Sequence, residues 1–181
     1  MAEELHGIQV KITSTEVKKI ILVIGPTGTG KSTIINMLYN NDFTMDACTK
    51  PFEVGGSADS VTKRPQWILK QETGMCYGDT VGLCDPTQSD LAVAMDLKRF
   101  IGKLQGGIHC LIIVARCGRV SREERANLAT INEIFDSRWV ENCVLVLTYY
   151  EGGLEPEEQQ ECVKKWIGND GEIGNFVKMG Y

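Results

Sequence analysis

At 181 residues the chain suits one domain with a sizeable core, and 43% hydrophobic with 24% charged residues excludes disordered and collagen-like classes. A net charge of −5 argues against broad nucleic-acid binding, which needs a basic face. No apolar run approaches the roughly 20 residues that cross a bilayer, and the N-terminus lacks the basic and apolar segments of a signal peptide.

Taken in chain order, residues 17–24 are β-branched and end at Gly25 and Pro26, the pattern of a buried strand. Residues 32–39 then place Ile34, Ile35 and Leu38 on one helical face, and the asparagines at 40 and 41 end it. Residues 43–63 have no clear period and read as a long loop, which in a compact domain is usually functional. Residues 66–70 and 74–77 read as two strands joined by a tight turn, and 91–104 as an amphipathic helix.

Residues 109–114 form another buried strand. Ser121 and Glu124 make a capping-box pattern, opening a helix that carries Leu128, Ile131, Ile134 and Phe135. Residues 143–147 are a further strand, and 156–167 a helix opened by proline and acidic residues. This alternation predicts an α/β fold with a largely parallel sheet.

Seven cysteines stand at 48, 76, 84, 110, 117, 143 and 162, an odd number with no C-x-x-C pair. The spacing predicts neither a disulfide framework nor a zinc site, but reduced, mostly structural thiols in a cytosolic protein.

The chemistry starts at Gly25, Pro26, Thr27, Gly28, Thr29, Gly30, Lys31 and Ser32, a full match to G-x-x-x-x-G-K-[ST] between a strand and a helix. Glycines let successive amides point at phosphate oxygens, and the helix N-terminus adds donors and a positive dipole end. Thr33 continues this site. Lys31 suits the β- and γ-phosphates, and the Ser32 hydroxyl suits Mg²⁺. Asp79, Thr80, Val81 and Gly82 follow an apolar strand, so the carboxylate can hold Mg²⁺ through water and the Gly82 amide can sense a γ-phosphate.

With these stretches, the segment from Ser57 to Lys63, the strand that opens at Gly107 and the run from Gly118 to Glu124, the chain resembles the immunity-associated (GIMAP-type) GTPases. These lie in the septin- and Toc-like branch of P-loop GTPases. The resemblance covers about residues 17–167 and implies a three-layer, Ras-like GTPase domain binding GTP or GDP with Mg²⁺. On that reading residues 1–16 are an N-terminal extension and 17–181 the domain. The chain stops where the family expects a last strand, so a truncated C-terminus is expected.

The resemblance implies a switch threonine whose hydroxyl closes on the metal. Thr62 fits, just before the Gln66 strand, with Ser60 and Thr49 as rivals. It also implies dimerisation across the nucleotide face. Two departures stand out. Where the family reads guanine with [NT]-K-x-D, this chain has Thr148, Tyr149, Tyr150 and Glu151. Glu151 retains an acceptor for the base, and Tyr149 offers a flat face over the purine.

Second, Leu83 stands where a Ras-like site has a water-positioning glutamine. Slow intrinsic hydrolysis is expected, assisted by a partner subunit or by another residue; Arg116, Arg119 and His109 are the candidates. The expected function is therefore a cytoplasmic guanine-nucleotide switch with slow, Mg²⁺-dependent turnover. A non-catalytic nucleotide-gated scaffold and an NTPase with relaxed ATP/GTP choice are the alternatives.

Overall fold

A computed structural model describes residues 17–44, 49–53, 66–80, 95, 98, 101, 107–117, 120–135, 137–149, 155–168, 171 and 173. Their elements are β1 (Lys19–Ile24), α1 (Lys31–Asn40), β2 (Gln66–Lys70), β3 (Met75–Asp79), β4 (Cys110–Arg116), α2 (Arg122–Phe135), a 3-10 turn (Ser137–Asn142), β5 (Cys143–Thr148) and α3 (Pro156–Ile167). Met95, Lys98 and Ile101 are also helical, inside the helix expected at 91–104.

The strands form one sheet in the order β2-β3-β1-β4-β5. β1 pairs in parallel with both β3 and β4, β4 in parallel with β5, and only β2 runs antiparallel, against β3. β1 is thus central, flanked by a strand from each direction of winding. In such sheets ligands bind beyond the carboxyl ends of the strands, at the point where winding reverses.

Side chains alternate across the sheet, and both faces are covered. Ile20, Leu22 and Ile24 of β1 join Leu111, Ile113 and Ala115 of β4 against Leu128, Ile131 and Trp166 of the later helices. Val23, Ile112 and Val114 point the other way, against Ile35 of α1 and Phe52. This is why β1 and β4 read as continuous apolar runs: both faces are buried, as crossover helices require. β5 differs. Its residues are half-buried, and Val144 is exposed, because β5 is the outer strand of the described sheet.

The helix starts follow local chemistry. The Ser121 hydroxyl accepts from the Glu124 amide at 3.1 Å, while the Glu124 carboxylate accepts from the Ser121 amide at 2.7 Å. Its second oxygen accepts from the Arg116 amide at 3.0 Å, so the same buried side chain also finishes β4. Glu124→Ala would leave two amides without their acceptor, at about 2–4 kcal/mol. The expected result is a melting temperature lower by roughly 5–15 °C in a thermal denaturation scan. At α3, Glu155 and Glu158 form a second capping box with Pro156 in the first turn.

Asn36 makes a less local connection. On the buried face of α1, its amide donates to the Phe52 carbonyl at 2.8 Å and accepts from the Phe52 amide at 3.0 Å. Both backbone groups of Phe52 are satisfied inside the core, which pins the described part of the 43–63 segment to α1.

Candidate functional site

The Gly25–Ser32 loop leaves the carboxyl end of β1 and turns into α1. Gly30 occupies the N-cap in the left-handed region, φ 91°, and contributes no side-chain cap. The first-turn amides of α1 therefore keep their donors for an anion, with the helix dipole in support. A left-handed N-cap is a conformation that a side chain would strain, so the glycine is needed for its backbone.

Inside the loop the Pro26 carbonyl gathers donors. The Lys31 ammonium reaches it at 2.9 Å and the buried Thr29 hydroxyl at 2.8 Å. Lys31 is itself largely buried, so a cationic head is held under the loop, where phosphate oxygens would meet it. Thr27 and Gly28 form the exposed tip, and Thr33 is half-buried in α1.

Asp79 lies at the end of β3, level with Val23 of β1. Its Oδ2 accepts from the Ser32 hydroxyl at 2.6 Å, joining two motifs 47 residues apart. Burial pushes its carboxyl above the ordinary carboxylate range, while the Ser32 hydrogen bond and the Lys31 charge pull the other way. Its Oδ1 is buried and has no hydrogen-bond partner among the described residues. A buried carboxylate oxygen without a donor, beside a serine hydroxyl, fits the hard oxygen ligation of Mg²⁺. The next residue, Thr80, donates to the Val23 carbonyl at 3.0 Å and holds this end of β3 against β1.

On the other side of the loop stand the ends of β4 and β5. The Thr148 hydroxyl shares its one proton between the Thr29 carbonyl at 2.7 Å and the Ala115 carbonyl at 3.2 Å. Its hydroxyl is therefore spent on holding the loop in place. Arg116 donates from Nη2 to the Gly28 carbonyl at 3.3 Å, and its guanidinium lies 4.8 Å from the centre of the Tyr149 ring. Tyr149 adopts φ 52° and is 63% exposed, so its ring is presented to solvent beside the loop rather than packed away. Nothing in the sequence pairs Arg116 with Gly28. The contact follows only from β4 lying next to β1.

Two sequence expectations change here. His109 sits at the opposite end of the sheet: its amide donates to the Ile20 carbonyl at 2.9 Å, and its Nδ1 accepts from the Ile20 amide at 3.2 Å. Ile20 is five residues before Gly25, about 16 Å along an extended strand, so His109 is no candidate for the nucleotide face. Thr49 is also displaced as a switch threonine, because its hydroxyl donates to Asn40 at the far end of α1. Thr62, Gly82, Leu83, Arg119 and Glu151 lie outside the described residues, as do Ser60 and Tyr150.

The model of the AIG1 family matches residues 19–169. Immune-associated nucleotide-binding protein 7 of Arabidopsis thaliana is 29% identical over 176 residues, covering 95% of this chain and 52% of that protein. Immune-associated nucleotide-binding protein 10 of the same plant is 30% identical over 158 residues, 85% of this chain and 32% of that one. The chain thus spans about half or less of these relatives' lengths.

Among solved structures, a dimerisation-deficient variant of Toc33 from Arabidopsis thaliana superposes with a TM-score of 0.63 at 20% identity, covering 90% of this chain and 62% of that one. Toc33 in complex with Mg²⁺ and GMPPNP gives 0.61, at the same identity and coverage. At this identity the likeness establishes the P-loop GTPase fold.

Proposed function

Because the chain belongs to the AIG1 family, we propose that it is a guanine-nucleotide-binding switch that hydrolyses GTP slowly with Mg²⁺ in the cytoplasm. The observation that carries this reading is the Ser32–Asp79 contact, whose second carboxylate oxygen has no partner among the described residues, set beside Lys31 at the carboxyl end of β1. The α1 amides and Lys31 would hold the phosphates, and Ser32 and Asp79 the metal, Asp79 through water. Bound Mg²⁺ would supply neutralisation of the charge on the transferred phosphoryl.

In this reading Thr148 and Arg116 keep the loop pressed against the strand ends. Toc33 has been solved with GDP and Mg²⁺, which supports the same ligand class here. Guanine would be read by Glu151, with Tyr149 covering the base. The Arg116 guanidinium behind the Tyr149 ring supports that role, because it holds a flat aromatic face in a fixed place. Calorimetric titration with GTP, GDP and ATP in Mg²⁺ tests the base assignment. Guanine nucleotides should bind at least tenfold more tightly than ATP, and equal affinities would remove it. Tyr149→Ala should weaken GTP and GDP alike by roughly 2–12-fold, the loss of one stacking face.

Leu83 favours a second reading, a nucleotide-gated assembly module with little turnover, since leucine cannot orient water. For the chloroplast translocon components Toc33 and Toc159, dimerisation is important for GTPase activity. A homodimer across the nucleotide face would supply the missing group here. Single-turnover hydrolysis measured against protein concentration separates the two readings. A rate that rises with concentration supports the dimer-assisted enzyme, and tight GTP binding with no phosphate release supports the module.

A further inference from the structure

We propose that Cys117 and Cys162 are a thiol–disulfide site: under oxidation they form a reversible bridge that staples the end of β4 to α3. Cys117 is the first residue after β4, and its amide donates to the Thr148 carbonyl at 2.8 Å. Cys162 faces it from the middle of α3 and is buried. The two sulfurs lie 2.7 Å apart, although 45 residues separate them in sequence. A bonded pair needs about 2.05 Å, so the bridge requires only a small approach of two side chains already aimed at each other.

Exposure sets the order of events. Cys117 is half-exposed and Cys162 lies behind it, so a small disulfide such as oxidised glutathione meets Cys117 first. The Cys117 thiolate attacks one glutathione sulfur, breaking that disulfide and expelling one glutathione thiolate. Cys162, as thiolate, then attacks the Cys117 sulfur and expels the second. Two protein thiols are oxidised, one glutathione disulfide is reduced to two glutathiones, and the two thiol protons end on them.

The surroundings slow the first attack by Cys117. Partial burial and the neighbouring Cys162 push the Cys117 thiol up to about 11, against a smaller opposite pull from the Lys165 ammonium. Little thiolate is present near neutrality, and a thiol of high pKa is a poor leaving group once bridged.

The staple would close the chain between β4 and α3 around α2 and β5. It also lies next to Arg116, whose guanidinium rests on the phosphate-binding loop.

The test uses the whole chain, treated with oxidised glutathione at mildly alkaline pH, then alkylated, digested and read by mass spectrometry. A peptide pair joined through Cys117 and Cys162 is expected, with the melting temperature higher by about 5–10 °C and restored by dithiothreitol. Cys162→Ser should show no bridge and keep a glutathione adduct on Cys117. Wild-type protein that stops at that adduct, a bridge joining Cys110 and Cys143 instead, or a bridge that leaves the melting temperature unchanged would each overturn the proposal.

Discussion

Lys31→Ala is expected to lower GTP affinity by at least about 100-fold, which corresponds to roughly 2.7 kcal/mol. The size follows from what the side chain is placed to do. The residue is largely buried, and its charge lies close enough to Asp79 to oppose the upward push that burial gives that carboxyl. A charge-assisted hydrogen bond to phosphate is worth about 1.5–3 kcal/mol, and a lysine serving two phosphates makes more than one. The fold should survive the change, because the Pro26 carbonyl keeps the Thr29 hydroxyl as donor. Titration calorimetry with GTP and Mg²⁺ reads the effect, with a thermal scan as the folding control. An unchanged affinity in a folded variant would refute the site assignment.

Gly25→Ala should act on the fold itself. A Cβ at this position would stand 2.1 Å from the Val114 carbonyl oxygen and 3.1 Å from its carbon. That obstacle is backbone of β4, a strand bonded on both sides, and the Val114 side chain is fully buried. No rotamer relieves the overlap, so β1 and β4 must part or the loop must move. We expect a loss above about 3 kcal/mol and a melting temperature lower by at least roughly 6 °C. Gly28→Ala is the informative contrast. Its Cβ would meet only the end of the Arg116 side chain at 3.4 Å, leaving mainly the cost of φ 73°, about 1 kcal/mol. Equal stability of Gly25→Ala and the parent chain would show that the close approach to β4 is not obligatory.

The pattern of what could be read in advance is physical. The α3 helix begins at Pro156 as expected, because proline, the two glutamates and the capping box all act within one turn. The Ser121–Glu124 cap was legible for the same reason, but its third bond, to the Arg116 amide, was not. β5 reads as apolar as β4, yet it lies at the outer edge of the described sheet and is only half-buried. Strand order decides that exposure, and strand order is a long-range property. His109 stood among the candidates for the nucleotide face, yet it lies just before β4 begins. In a parallel sheet the start of a strand is the end away from the ligand.

The sequence by itself determined the phosphate-binding loop, its seat between a strand and a helix, and Asp79 as the acid at the end of the third strand. Those signals depend on backbone freedom, amide direction and charge within a few residues, so spacing alone carries them. Only the tertiary structure decided which distant residues meet. Asp79 meets Ser32, Arg116 meets Gly28, Thr148 meets Thr29 and Cys117 meets Cys162 because β3, β4, β5 and α3 are stacked around β1. Each pairing joins residues from about 45 to 120 positions apart. Local chemistry cannot encode such a meeting; the order of strands in the sheet, imposed by burying both of its faces, brings it about.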